Sequence, residues 1–340
     1  MTTAVVPETY WTSRGRSQLY VEEMVNLQQQ SMQWTSVLKL RPRESELFVE
    51  LSPDCHRLQL DEDILLHDDV LLPLWKDFSE AISTVAPNAY QTFLVIIQDV
   101  QLSRPVLDLL APSLHQAPVE GLLMRNNKLS RDGIRFVSKF VEHSASLKCL
   151  AACNKIESEL DATSLAQSVR RHPNIESLIL HQVGLGQKRA LITAIMPALH
   201  NSNLEAVSLG HNQIGSYGAA MIFTFLSSNP TLKTLHLDKN LLNDDAVISI
   251  AESLKKNTNL EELNLHRNKY GVIGANALLK AVYNRRSLNA IYESNHTCHL
   301  KFGYRLVAPL MDNFLTEGES NVIFNGNEVS PSARRKAKIG

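Results

Sequence analysis

Seven segments of the chain fall into step on one frame, L-x-x-L-x-L-x-x-N, and no other feature of the sequence narrows the fold as far. Leu204/Val207/Leu209/Asn212, Leu232/Leu235/Leu237/Asn240 and Leu260/Leu263/Leu265/Asn268 match it fully. Further copies start at Val119, Leu147, Ile175 and Leu288, so successive starts step by 28 or 29 residues. One step earlier, Gln91 with Leu94, Ile96 and Asp99 keeps the frame, and a looser copy with Leu58, Leu60 and Asp63 starts at Cys55. Each start leads through a turn into helical periodicity. Tyr217 to Leu226 carries apolar residues three and four apart, and Asn229-Pro230 stops it.

One strand and one helix per repeat cannot bury an apolar stripe alone, whereas stacked repeats share a continuous core. The frame therefore predicts an α/β solenoid, a horseshoe with a parallel inner sheet and outer helices. It must curve, because helices about 10 Å wide cannot stack at the ~4.8 Å spacing of strands. The leucines of L-x-L point into the core, since strand side chains alternate faces. The asparagine at position 8, counting the first leucine as 0, sits where the chain leaves the sheet. Its amide can serve backbone groups there that no ladder reaches. The expected organisation is a capping segment over 1–54 with a helix from Ser17 to Met32, repeats over 55–300, and a C-terminal cap and basic tail over 301–340.

The long period, with Asn212-Gln213-Ile214-Gly215 followed by Gly218-Ala219, and Asn268 followed by Gly274-Ala275, resembles the ribonuclease-inhibitor-like class of leucine-rich repeats from Gln91 to His299. That resemblance implies the horseshoe. Its members include inhibitors, GTPase-activating proteins, immune receptors and scaffolds, so it implies little about the task. The copy from Leu288 has its asparagine one place early. Its ending, Ser294-Asn295-His296-Thr297-Cys298, is similar to the closing repeat of uncharacterised leucine-rich-repeat proteins of diatoms and related algae. Leu147 to Asn154 also has its asparagine early, which predicts a local irregularity in that turn.

With 34 basic against 35 acidic residues, the chain has no global field to draw it onto nucleic acid or an anionic membrane. Arg334, Arg335, Lys336 and Lys338 are read as a solvated tail. No apolar run approaches the ~20 residues that span a bilayer. Pro7 and Glu8 stand where a signal peptide needs a basic start and an apolar run, and four cysteines at irregular spacing suit no disulfide framework. An intracellular, cytoplasmic setting is expected. Neither metal nor cofactor is expected: H-E-x-x-H, G-x-S-x-G and C-x-x-C do not occur, and Ser216-Tyr217 follows Gly210 and Gly215 where a phosphate loop needs Lys-Ser/Thr. His296, Cys298 and His299 are read as a closing turn rather than a zinc site.

What remains is the inner face. Position 4 aligns Ser208, His236, Asn264 and Tyr292; position 6 aligns His181, Gly210, Asp238 and His266, with Asp238 beside His266 as an expected ion pair. Ser208 beside His236 has two members of a hydrolase triad, but no oxyanion donors accompany it and an open sheet excludes water poorly. The expected function is a non-enzymatic scaffold that binds a protein partner on the concave face, with His236, Asp238, Lys239, Asn264, His266, Arg267 and Tyr292 as polar contacts. A regulator of an enzyme, such as a GTPase activator, is the alternative, and a hydrolase the remote one. Phe93, Val95, Ile97, Leu123 and Ile179 are assigned to the same face as an apolar patch, either a partner site or covered by the chain around Trp34 to Phe48.

Overall fold

The computed structural model describes residues 5–40, 46–54, 64–86, 92–282, 298–301, 322–325 and 328–331. They belong to two compact units, Met1–Ile175 and Glu176–Gly340. The first runs α1 (Glu8–Thr12), α2 (Gln18–Leu40), β1 (Glu46–Leu51), α3 (Leu72–Ser83), β2 (Thr92–Gln98), α4 (Arg104–Gln116), β3 (Gly121–Arg125), α5 (Arg131–His143), β4 (Cys149–Cys153), α6 (Glu159–Arg171). Strands β1 to β4 pair in parallel in chain order. The second runs β5 (Ser177–Ile179), α7 (Arg189–Ile195), β6 (Ala206–Ser208), α8 (Ser216–Ser227), β7 (Thr234–His236), α9 (Asp244–Leu254), β8 (Glu262–Asn264), α10 (Val272–Val282), β9 (His299–Lys301), again parallel and in order. A hairpin of β10 (Val322–Asn325) and β11 (Glu328–Pro331) adds to β9 antiparallel. Each unit is thus the α/β strand–helix solenoid that the period predicts.

In the second unit Leu178, Val207, Leu235, Leu263 and Leu300 stand in one register and are all buried to within 1%. Each such side chain contributes about 1.5–3 kcal/mol by leaving water. On α8, Ala219, Ile222, Phe225 and Leu226 turn the same way. The glycines of the helix-side motif have a packing cause, since a Cβ on Gly218 would meet Ile214 and Ile192 at 2.5 and 2.6 Å. Helix starts are shared between repeats. Asn243 caps α9 by accepting from Ala246 N, and Asp244 of α9 accepts from Gly271 N and Gly274 N at the start of α10, 2.9 and 2.7 Å away.

The position-8 asparagines form the ladder expected of them. Asn212 Oδ1 accepts from Val183 N and Gly184 N, and its Nδ2 donates to Leu180 O and Leu209 O. Asn240 serves Asn212 N, Ile214 N, Leu209 O and Leu237 O in the same way. Where the asparagine comes early, Asn154 still accepts from Asn127 N and donates to Met124 O, so the missing residue is absorbed without breaking the ladder.

Four expectations need correction. First, Phe93, Val95 and Ile97 are not on the open face. They pair in register with Leu47, Val49 and Leu51, and Val95 and Ile97 pair onward with Leu122 and Met124, all core residues, and are themselves buried to 1% or less. The copy therefore starts at Thr92, not Gln91. Phe93 to Ile97 is apolar on both faces, so alternation cannot choose, and a one-residue slip exchanges them. Leu94, Ile96 and Leu123 are the half-exposed residues of the open side, with Phe48 45% exposed beside them.

Second, the described residues of the segment around Trp34 to Phe48 do not cover that side. They end α2 and begin β1, and α2 closes the sheet edge: Gln30 bonds both Ser52 N and Ser52 O, and Trp34 Nε1 donates to Glu50 O. Third, a strand of the sheet, β1, falls inside the segment expected only to cap. Fourth, the strand beside β8 is His299–Lys301, with Leu263 against Leu300, rather than the one framed from Leu288. That copy's residues 288–297, the copy framed from Cys55 over 55–63, and the basic tail lie outside the described residues.

Candidate functional site

The open strand face of the second unit is built from alternate residues of β5 to β9, whose intervening leucines are committed to the core. Register places Ile179, Ser208, His236, Asn264 and Lys301 in one row, and Ala206, Thr234, Glu262 and His299 in the next. Glu262 lies at the centre. His236 Nε2 is 2.7 Å and Lys301 Nζ 3.0 Å from its Oε1, with the three side chains 33%, 29% and 28% exposed in the order His236, Lys301, Glu262. Burial works to raise the Glu262 carboxyl, but the hydrogen bonds from His236 and Lys301 outweigh it and hold it below its ordinary value. Glu262 is therefore a fixed anion with two donors on it.

The serine of the triad-like pairing has a different histidine. Ser208 Oγ is 2.6 Å from His181 Nε2, while His236 is taken by Glu262. Glu262, not Asp238, is the carboxylate on a histidine here. Asp238 instead leans over the neighbouring strand, where a Cβ on Gly210 would lie 2.9 Å from its Oδ1. Asn264 Oδ1 accepts from His266 N, so the two named residues brace one turn. Tyr292 lies outside the described residues, and Asn264 has Lys301 as its row neighbour.

Past the strand ends, Gln182, His211, Lys239 and Arg267 occupy position 7 of successive repeats, each with φ between 53° and 59°. At His211, Lys239 and Arg267 this left-handed turn falls just before the ladder asparagines Asn212, Asn240 and Asn268. His211 N donates to Asp238 O and Lys239 N to His266 O, which holds adjacent turns at the spacing of the sheet. The sequence reading singled out Lys239 and Arg267 but passed over His211, whose position 7 was the available signal; it also missed Glu262 and Lys301. Burial, the largest cause, together with the charges of Lys239 and Arg267, holds the His211 imidazole below its ordinary value against the pull of Asp238.

A histidine depressed in the fold is neutral there while the unfolded chain takes up a proton, so the stability it contributes is present above about pH 6.5 and lost as pH falls toward its folded value. The stability gap between wild type and His211→Gln, read from urea midpoints, is expected to shrink between about pH 8 and pH 5. A gap that does not change with pH would remove His211 as the cause.

Cys298, at the foot of β9, is fully buried, and burial with the charge of Glu262 drives its thiol up. Among the described residues, no group of three or more His, Cys, Asp or Glu is placed to hold a metal, and no helix is long and apolar enough to cross a membrane.

A family profile described as Leucine Rich repeat matches residues 200–223 and 228–251, the repeats around β6 and β7. FERM domain-containing protein C of Dictyostelium discoideum is 29% identical over 32% of this chain, a stretch that is only 8% of that protein. Among solved structures, the leucine-rich-repeat-containing protein LegL7 from Legionella pneumophila is 17% identical over 79% of this chain and 87% of its own, with a TM-score of 0.49. Leiomodin-1 actin-binding site 2 is 20% identical over 47% and 90%, with a TM-score of 0.36. The repeat frame, the asparagine ladder and the matched profile together make this chain, by fold, an α/β leucine-rich-repeat solenoid. Repeat solenoids of this kind offer extended faces to other proteins.

Proposed function

We propose that the chain is a non-enzymatic interaction scaffold, with repeats of the ribonuclease-inhibitor-like kind, that holds a protein partner on the open strand face of its second unit. The observation that carries this reading is the His236–Glu262–Lys301 network: three charged or chargeable groups, each about a third exposed, fixed by their own hydrogen bonds on adjacent strands. Groups already held in place lose little freedom when a partner docks, so their contacts go into affinity rather than ordering. His236, Asp238, Lys239, Asn264, His266 and Arg267 are the polar contacts, with Arg267 the anchor. Ile179 is the open-side apolar contact of that unit, and Leu123 stands on the open side of the first unit. The Ser208–His181 pair does not favour an enzyme, because nothing on an open face keeps water from the serine.

The test is quantitative affinity purification from the native cell, comparing wild type with His236→Ala/Asp238→Ala/His266→Ala and with a helix-side control, Arg170→Ala/Arg171→Ala. A protein retained by wild type and control but lost from the triple variant is the expected result. Retention by all three would move the site off this face.

A further inference from the structure

The open face of the second unit is electrically divided. At the leading ends of its strands Glu176, Glu205 and Glu261 are exposed with Lys233 among them; Lys233 Nζ is 2.9 Å from Glu205 Oε1, and the hydrogen bond and charge of Glu205, with the charges of Glu261 and Glu176, raise the ammonium above its ordinary value. At the trailing ends stand Lys239 and Arg267, with His211 before them and the exposed Lys269 two residues on. Asp238, drawn over Gly210, sets its carboxylate beside His211 and leaves the positive charge of this edge with Lys239, Arg267 and Lys269. One edge therefore repels anions and the other collects them.

We infer that the trailing edge seats an acidic α-helix of the protein partner, laid along the stack with carboxylates at i, i+4 and i+7 over His211, Lys239 and Arg267. The inference rests on the scaffold reading above and names the chemistry of its partner. Spacing selects a helix over an extended strand. The three side chains leave successive turns in the same left-handed conformation, and the bonds His211 N to Asp238 O and Lys239 N to His266 O keep those turns at sheet spacing. Neighbours are then ~4.8 Å apart and the outer two about 10 Å. A helix rises about 10.5 Å over seven residues, one carboxylate for each of the three successive turns. An extended chain repeats a face every ~6.6 Å and is out of step by the third contact. The acidic leading edge keeps such a helix from binding across the strands.

The experiment measures fluorescence anisotropy of stapled, labelled helices against the full chain, identical except for Glu, Gln or Lys at i, i+4 and i+7. Two exposed charge contacts, at Lys239 and Arg267, with the neutral His211 imidazole as a hydrogen-bond donor, predict that the Glu helix binds about fivefold tighter than the Gln helix. That advantage should fade as salt shortens the Debye length to about 8 Å. The charge-reversed chain Lys239→Glu/Arg267→Glu, checked for fold by circular dichroism, should release the Glu helix and take the Lys helix. Equal binding of Glu and Gln helices, no binding of either, or a Glu-helix affinity that survives charge reversal would overturn the inference. A native partner lost from the His236→Ala/Asp238→Ala/His266→Ala variant with no Glu-helix binding would leave the scaffold reading intact and remove only this one.

Discussion

Asn212→Ala is expected to destabilise the second unit by about 3–5 kcal/mol, because it strands several buried backbone groups at once, each of which costs about 1–3 kcal/mol when unpaired. Asn212 is 0% exposed, and its Oδ1 is the acceptor for Val183 N and Gly184 N at 3.0 and 3.1 Å, while its Nδ2 serves Leu180 O at 2.6 Å and Leu209 O at 3.1 Å. Alanine supplies neither a donor nor an acceptor. Asn268 is the internal comparison: it is only part-buried, and its Oδ1 accepts from Leu242 N. Water can reach the groups that Asn268→Ala would free, so that variant should lose about half as much. Urea unfolding followed by far-ultraviolet circular dichroism would measure both. Equal small losses would mean that the ladder is a consequence of the turn rather than its support.

The second large effect reads the register of β2. Phe93→Ala should cost about 3–5 kcal/mol, the range for emptying an aromatic core site, while Ile96→Ala should cost no more than about 1–2 kcal/mol. Phe93 is 1% exposed and paired with Leu47, whereas Ile96 is half-exposed on the open side, paired with Leu123. The copy framed from Gln91 demands the reverse order. A larger loss in Ile96→Ala than in Phe93→Ala, measured by the same unfolding, would restore that frame and put Phe93, Val95 and Ile97 back on the open face.

Both predictions turn on how much a local pattern can carry. In β7 and β8 the leucines stand between polar neighbours, so the inward face is written in the order of residues, and from Val119 to Asn268 the constant period carries the same frame through β3 to β6. At β2 the run Phe93 to Ile97 is apolar throughout, and period 2 loses its meaning. Only pairing with β1 on one side and β3 on the other decides which residues turn inward. At β9 the frame led to Leu288, but Leu300 fills the place beside Leu263, 37 positions on. The neighbouring strand accepts any leucine that reaches its register, and linear spacing does not record the reach of a longer connection.

The site divides along the same line. His236, Asp238, Lys239, Asn264, His266 and Arg267 were legible because a constant period assigns each residue a row and a face. Their bonds were not, because the frame carries no rotamers: Asp238 looked like the partner of His266, whereas the carboxylate that holds a histidine is Glu262, one row from His236. Lys301 became visible only when strands distant in sequence were brought side by side, whereas His211 stood at a position 7 that the period already marked. The sequence by itself determined that the chain stacks strand–helix units and which leucines and asparagines hold them, since that information is local and repeats. Tertiary structure alone decided the register of the irregular strands and the pairing of the charges, since both depend on which side chains meet across repeats 26 to 46 residues apart.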